Sequence, residues 1–155
     1  MSAVVDVTVD GTRSPLGVER IKRIALGVLA AEQVRDALVS ITLVSPAKIA
    51  QINKRHLSHR GATDVISFSL GPTGRGPQNA VVGDVYIAPD VARENARRFG
   101  NGVREEIARL VVHGTLHVLG HDHPDGDART ESPMWRRQEQ LLAKLSRQAL
   151  QAAGR

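Results

Sequence analysis

The stretch HGTLHVLGHDH, running from His113 to His123, decides how this chain is read. His113 and His117 stand four residues apart, which on a helix puts two imidazoles on one face about one turn from each other. Gly120 follows three residues later and can take the left-handed conformation that ends a helix and turns the chain sharply. Such a turn brings His123 back towards the same point. Four of the six histidines fall inside these eleven residues. The pattern predicts a metal site with His113, His117 and His123 as ligands to one Zn2+, and with the fourth position left open for water. His121 reads as a neighbour rather than a ligand. Asp122 reads as an acceptor behind the ligands or a solvated loop residue, and is a candidate for a catalytic role beside the metal.

The spacing H-x-x-x-H-x-x-G-x-x-H is also that of the metzincin peptidases. Those enzymes carry a glutamate general base directly after the first histidine. Here that position is Gly114, which accepts no proton. The spacing therefore predicts the metal, while the missing acid argues against that peptidase mechanism. A glycine there is expected to open space beside the metal and to remove a negative charge, which suits a bulky anionic substrate such as a phosphodiester. It also lets another element pack closely on the helix, and the two roles are compatible. Zinc by itself lowers the pKa of its bound water to about 7, so a dedicated base is not essential.

Outward from this stretch, the chain alternates strand and helix signals. Val4–Val9 alternates as a half-buried strand, and Val18 to about Gln33 carries apolar residues at helical spacing. Leu38–Val44 reads as a second strand. Ser45-Pro46 is a helix start, with a capping serine and a proline in the first turn, and that helix is expected to reach about Arg55. Thr63–Phe68 reads as a third strand. GPTGRGPQN follows as a surface loop, and Gly83–Ala88 is a fourth strand. Helices are expected from Pro89 to Phe99, from Val103 to Leu119, and from Pro133 to near Ala152. Mixed strands and helices with one hairpin-like pair predict an α+β fold in a single domain, residues 1–155.

Composition bounds the chemistry. The chain has no cysteine, so a metal must be held by histidine or carboxylate. The formal net charge is +5, which favours polyanionic partners such as nucleic acid. With only Phe68, Tyr86, Phe99 and Trp135 as aromatic residues, base stacking is not expected to dominate binding. No basic-then-apolar leader opens the chain and no apolar run approaches the roughly 20 residues that span a bilayer. A soluble cytoplasmic protein is expected.

HGTLHVLGHDH resembles the signature of the YbeY family, bacterial zinc-dependent endoribonucleases of rRNA maturation. TDVISF followed by GDVYIAPD resembles a second block of that family. EEIARLVVHG leads into the signature as the family's helix does, and Met134, Glu139 and Leu142 resemble its C-terminal helix. The resemblance covers roughly residues 40 to 142. It implies a zincin-like α+β fold, with a small mixed four-stranded sheet packed against helices that include the metal-binding one. It implies single-strand-specific cleavage of RNA in maturation of the 16S rRNA 3′ end, and a role in ribosome quality control. It carries the ligand roles onto His113, His117 and His123. The partners it implies are the 16S rRNA precursor, the small ribosomal subunit and a ribosome-associated GTPase, with no membrane.

The chain departs from the family at one place. The family usually has an arginine six residues before the Thr of T-D-V, and here that residue is Leu57. The usual proline before that Thr is Ala62. Arg60 or Arg55 can substitute, and Arg60 is the candidate phosphate holder. Asp64 either orients substrate or bonds to the turn before it. Arg93, Arg97 and Arg98 either meet RNA phosphates or form a solvated face paired with Glu94. Met134 is either an ordinary buried helix residue or packs beneath the metal. Two other readings stay open: a zincin-type metallopeptidase, which would need a base such as Asp122 or the distant Glu106, and a non-catalytic ribosome assembly factor whose fold the metal stabilises.

Overall fold

The computed structural model describes residues 2–57, 61, 63–72, 80–123 and 126–153. Four strands form one mixed sheet in the order β1-β2-β4-β3, with β1 Ala3–Asp10, β2 Ala37–Val44, β3 Val65–Pro72 and β4 Val81–Ile87. β1 and β4 each run parallel to β2, and β3 runs antiparallel to β4 as the hairpin-like partner. Among the described residues five α-helices pack with the sheet: α1 Val18–Ala31, α2 Pro46–Leu57, α3 Pro89–Phe99, α4 Val103–Val118 and α5 Pro133–Ala153. The expected α+β class and the four-stranded mixed sheet are both present. No helix among the described residues is long and apolar enough to cross a membrane.

Alternation along the strands assigns the two faces. Val39, Ile41, Leu43, Val85 and Ile87 point to one side, where they meet Ile21, Ala25 and Leu29 of α1 and Ile107 and Val111 of α4 in a closed core. Ile66 and Ala88 point to the other side and meet Ile49 of α2. Each fully buried side chain of this kind stabilises the fold by roughly 1.5–3 kcal/mol. The exposed pair Arg97–Glu94 contributes at most about 1 kcal/mol. The apolar core therefore fixes where α4 sits, and α4 carries the first two histidines.

Element boundaries differ from expectation where tertiary pairing overrides local signals. β3 continues past Phe68 to Pro72 because it pairs with Val81 and Val82, with a bulge between Ser69 and Gly71 where Gly71 has φ 70°. Pro72 is tolerated because β3 is an edge strand. The rest of the GPTGRGPQN loop lies outside the described residues. α1 ends at Ala31 rather than Gln33, because Gln33 turns the chain with φ 60°. Ser45 caps α2 as expected, its hydroxyl accepting from the Lys48 N–H at 3.2 Å. A short 3-10 helix, Gly126–Glu131, occupies part of the expected loop before α5.

Gly114 faces the sheet. A Cβ there would lie 2.6 Å from Val85 Cγ1 and 3.3 Å from Ser67 Oγ. The missing side chain is thus spent on close packing of α4 against β3 and β4, and the expected open space beside the metal is not what it creates. Replacing a helix-interior glycine by alanine ordinarily gains about 1 kcal/mol. Gly114→Ala is instead expected to destabilise the protein by about 1–3 kcal/mol, because the short, stiff Val85 side chain cannot yield. Thermal or denaturant melts check this, and Val85→Ala in the same chain should recover part of the loss.

Candidate metal centre

The histidines converge as their spacing predicts. One potential ligand atom from each of His113, His117 and His123 lies within 4.8 Å of the others. Ring centroids are 4.6 Å apart for His113 and His117, 5.1 Å for His113 and His123, and 4.9 Å for His117 and His123. The turn at Gly120 makes this possible. Gly120 has φ 98°, its N–H donates to His117 O at 3.0 Å, and the His121 N–H reaches back to Leu116 O at 3.0 Å. These two bonds close the helix end in a Schellman arrangement and send the chain back over α4.

The same turn orients a ligand. The His121 carbonyl accepts a hydrogen bond from His117 Nδ1 at 2.9 Å, which leaves Nε2 as that ring's ligand atom. His113 is fixed in a comparable way by Gln138 of α5. Gln138 Nε2 donates to Glu139 Oε2 at 3.0 Å, so Gln138 Oε1 is the end that faces His113 Nδ1, at 2.6 Å. His113 must then donate from Nδ1 and keep Nε2 free. Behind it, Glu139 is gripped by Arg109, which also holds Glu105 and Glu106 at 3.1 and 3.0 Å. Burial pushes His113 down to about 4, against the hydrogen bond to Gln138 and helped by His117 and His123. Burial, then the neighbouring His123, also lowers His117. Neutral imidazoles with fixed tautomers are what a cation needs.

The other candidate residues are distributed as follows. His121 is turned away from the cluster, its Nε2 2.6 Å from Glu32 Oε1, so it is a neighbour as expected. Asp122 is exposed, and its Oδ1 accepts from the His123 N–H at 2.8 Å. Arg60 and Ala62 lie outside the described residues, and Arg55 is exposed on α2. Asp64 does more than close a turn: its Oδ2 accepts from Asn95 Nδ2 of α3 at 3.3 Å. Burial raises its carboxyl above the usual range. Arg93 and Arg97 pair with Asp90 and Glu94 on the solvated face of α3. Met134 is buried with Val112, Leu116 and Leu141 as an ordinary core residue.

Sequence reasoning missed Gln138, Arg109 and Arg129. Gln138 carries a legible signal, because it interrupts the apolar series Met134, Leu141, Leu142 on the buried side of α5 and is 1% exposed. Arg129 carries none. It comes to the site through the 3-10 helix, where its guanidinium lies 5.9 Å from the Trp135 ring centroid and bears electrostatically on both His113 and Asp64.

Comparison with known proteins agrees with this geometry. The family model described as Endoribonuclease YbeY matches residues 11–146. This chain belongs to the endoribonuclease YbeY family. A relative of that name from Bacillus subtilis is 39% identical over 153 residues, covering 92% of this chain and 95% of the relative. One from Thermobifida fusca is 38% identical over 135 residues, covering 83% and 86%. A solution structure of a Thermotoga maritima protein shares the fold, with a TM-score of 0.64 at 23% identity over 96% of this chain and 93% of that one. Within this YbeY family chain, His113, His117 and His123 form a group that can hold one metal ion.

Two outcomes test this centre. Gln138→Leu should keep the fold but weaken metal binding by about 10–100-fold, since His113 then loses the partner that fixes its tautomer; competition with a colorimetric chelator measures it. The second concerns pH. Folded His113 titrates at about 4, below its ordinary 6.5. As pH falls below about 6.5 the unfolded chain takes up a proton that the folded protein refuses, so metal-free protein should lose stability down to about pH 4. Melts of metal-free protein at about pH 7.5 and about pH 5 should show the drop, and His113→Gln should reduce it.

Proposed function

We propose that the protein is a zinc-dependent, single-strand-specific endoribonuclease that acts in maturation of the 16S rRNA 3′ end and in ribosome quality control. The observation that carries this reading is the convergence of His113, His117 and His123, with one potential ligand atom from each within 4.8 Å of the others and burial lowering the pKa of His113 and His117. Relatives covering most of the chain bear the name endoribonuclease, which supports the same activity here. Three imidazole nitrogens are a donor set that zinc accepts, and His113, His117 and His123 are the proposed ligands. When bound, the ion supplies Lewis acidity at a phosphoryl oxygen and a lowered pKa for water.

The residues of the chain supply the rest. Gln138 and the His121 carbonyl hold the tautomers of His113 and His117. Asp122 steadies the His123 backbone and stays the candidate for proton transfer at the mouth of the site. Arg129 offers a guanidinium beside His113 that can meet a phosphate, and Arg60 is proposed as a second phosphate holder. The net charge of +5 supports RNA as the partner. The 16S rRNA precursor, the small ribosomal subunit and a ribosome-associated GTPase are the proposed partners, and the cytoplasm the proposed compartment.

The competing readings fit less well. A peptidase of the same spacing needs an acid at position 114, and a side chain there would be driven into Val85. A non-catalytic assembly factor does not account for the name endoribonuclease borne by relatives that cover most of the chain.

A labelled single-stranded RNA, incubated with wild type and His117→Ala prepared identically and loaded with zinc, tests the proposal. Wild type should cleave, and His117→Ala should lose activity by at least about 100-fold. Equal cleavage by the two proteins, or none by wild type, would overturn the reading.

A further inference from the structure

A cavity of about 380 Å³ opens beside the histidine cluster, with His113 in its wall. Its size suits a small organic ligand rather than a bare ion. Val65 at the start of β3 and Leu110 of α4 give it carbon-rich sides. Two aromatic rings complete them: Trp135 of α5, and Phe99, the last residue of α3. Phe99 is 71% exposed, with the Arg98 guanidinium 5.9 Å from its ring centroid. The Asp64 carboxyl, which accepts from the Asn95 amide rather than from a guanidinium, makes its part of the wall a poor place for phosphate.

Asp64 and Asn95 place acceptors in this wall, beside the guanidinium donors of Arg109 and Arg129. Asn95 spends an amide hydrogen on Asp64 Oδ2, which leaves its Oδ1 to accept. The Asp64 carboxyl sits behind that bond at the cavity wall, and its partners do not offset its burial. A ligand with N–H donors on one edge and flat apolar faces fits this combination. Arg129 lies at the same wall over the Trp135 ring. The other guanidinium of the cavity, Arg109, is committed to Glu105, Glu106 and Glu139.

We propose that this cavity is a base-reading subsite: it takes one unpaired nucleobase of the RNA strand, next to the phosphodiester held at the histidines, and favours bases carrying an exocyclic amino group. The proposal rests on the endoribonuclease reading above. Asp64 and Asn95 accept from the amino group, Trp135 and Phe99 line the faces of the ring, and Arg129 meets the phosphate that joins this nucleotide to the next. A base in a duplex cannot enter without being unstacked and unpaired, so the subsite also selects single strands. Asp64 and Asn95 are specificity-determining residues on this account, and the reaction itself stays with the metal centre.

The chain has a single tryptophan, so emission from Trp135 reports on this cavity alone. The full-length, zinc-loaded protein is titrated with cytidine 5′-monophosphate and with uridine 5′-monophosphate, which differ at the ring edge by an amino group in place of a carbonyl. Saturable quenching by the cytidine nucleotide should occur at a concentration roughly tenfold or more below that for the uridine nucleotide, the difference one hydrogen bond to a carboxylate supplies. Asp64→Asn should narrow or reverse the ratio, and Asn95→Ala serves where Asp64→Asn fails to fold. Equal response to both nucleotides, or no saturable response, overturns the subsite. Failure here leaves metal-dependent RNA cleavage intact, whereas selective quenching without RNA cleavage would sink the endoribonuclease reading and keep the base pocket.

Discussion

Everything at this site depends on how closely α4 is seated on the sheet. Ten of its sixteen residues are buried, so the helix is gripped on most of its circumference. Two glycines let it come so near. Gly114 on the helix meets Val85, and Gly83 on β4 leaves room for Val118, whose Cγ1 an added Cβ would approach to 2.4 Å. The stripe bearing His113 and His117 is what the core leaves over. Those imidazoles are therefore positioned by apolar packing on neighbouring faces of the same helix.

The polar shell behind the histidines solves a second problem, that of keeping a buried cationic cluster from forming. Three imidazoles within ring-contact distance repel if protonated, and burial adds to the penalty. Gln138 counters without adding charge: it accepts from His113 and passes its own donor to Glu139. Glu139 is neutralised in turn by Arg109, which also absorbs Glu105 and Glu106. Carboxylates thus stand near the site but are already spent. This network holds His113 in one tautomer while leaving the centre free of a net negative field that would oppose an RNA phosphate.

The fold class and the convergence of the three histidines were legible from sequence because both rest on local periodicity. Four-residue spacing puts His113 and His117 on one face, and a glycine past the helix end turns the chain for His123; the structure repeats both steps. What was not legible came from elements far apart in the chain. Gln138 lies 25 residues from His113 and meets it only when α5 packs on α4. Asp64 lies 31 residues from Asn95, so its local role in a turn was the natural expectation, and its place in the cavity depends on how β3 and α3 come together. The extent of β3 was underestimated for a similar reason: Gly71 and Pro72 look like loop residues until β4 pairs with them.

The glycine that follows His113 now reads differently from the way spacing alone suggested. Position 114 points to β3 and β4, so a glutamate there could not serve a bound substrate without lifting the helix off the sheet. The absent side chain at position 114 and the closeness of the packing there are one structural feature rather than two. A site so built has no carboxylate directly after His113 on its helix. It has three convergent imidazoles, a guanidinium at Arg129 and a cavity lined with rings and amide groups. Such a set asks for a substrate that brings its own negative charge to the metal and a planar group to the cavity beside it. An unpaired nucleotide within an RNA strand has both, at a fixed separation set by its ribose.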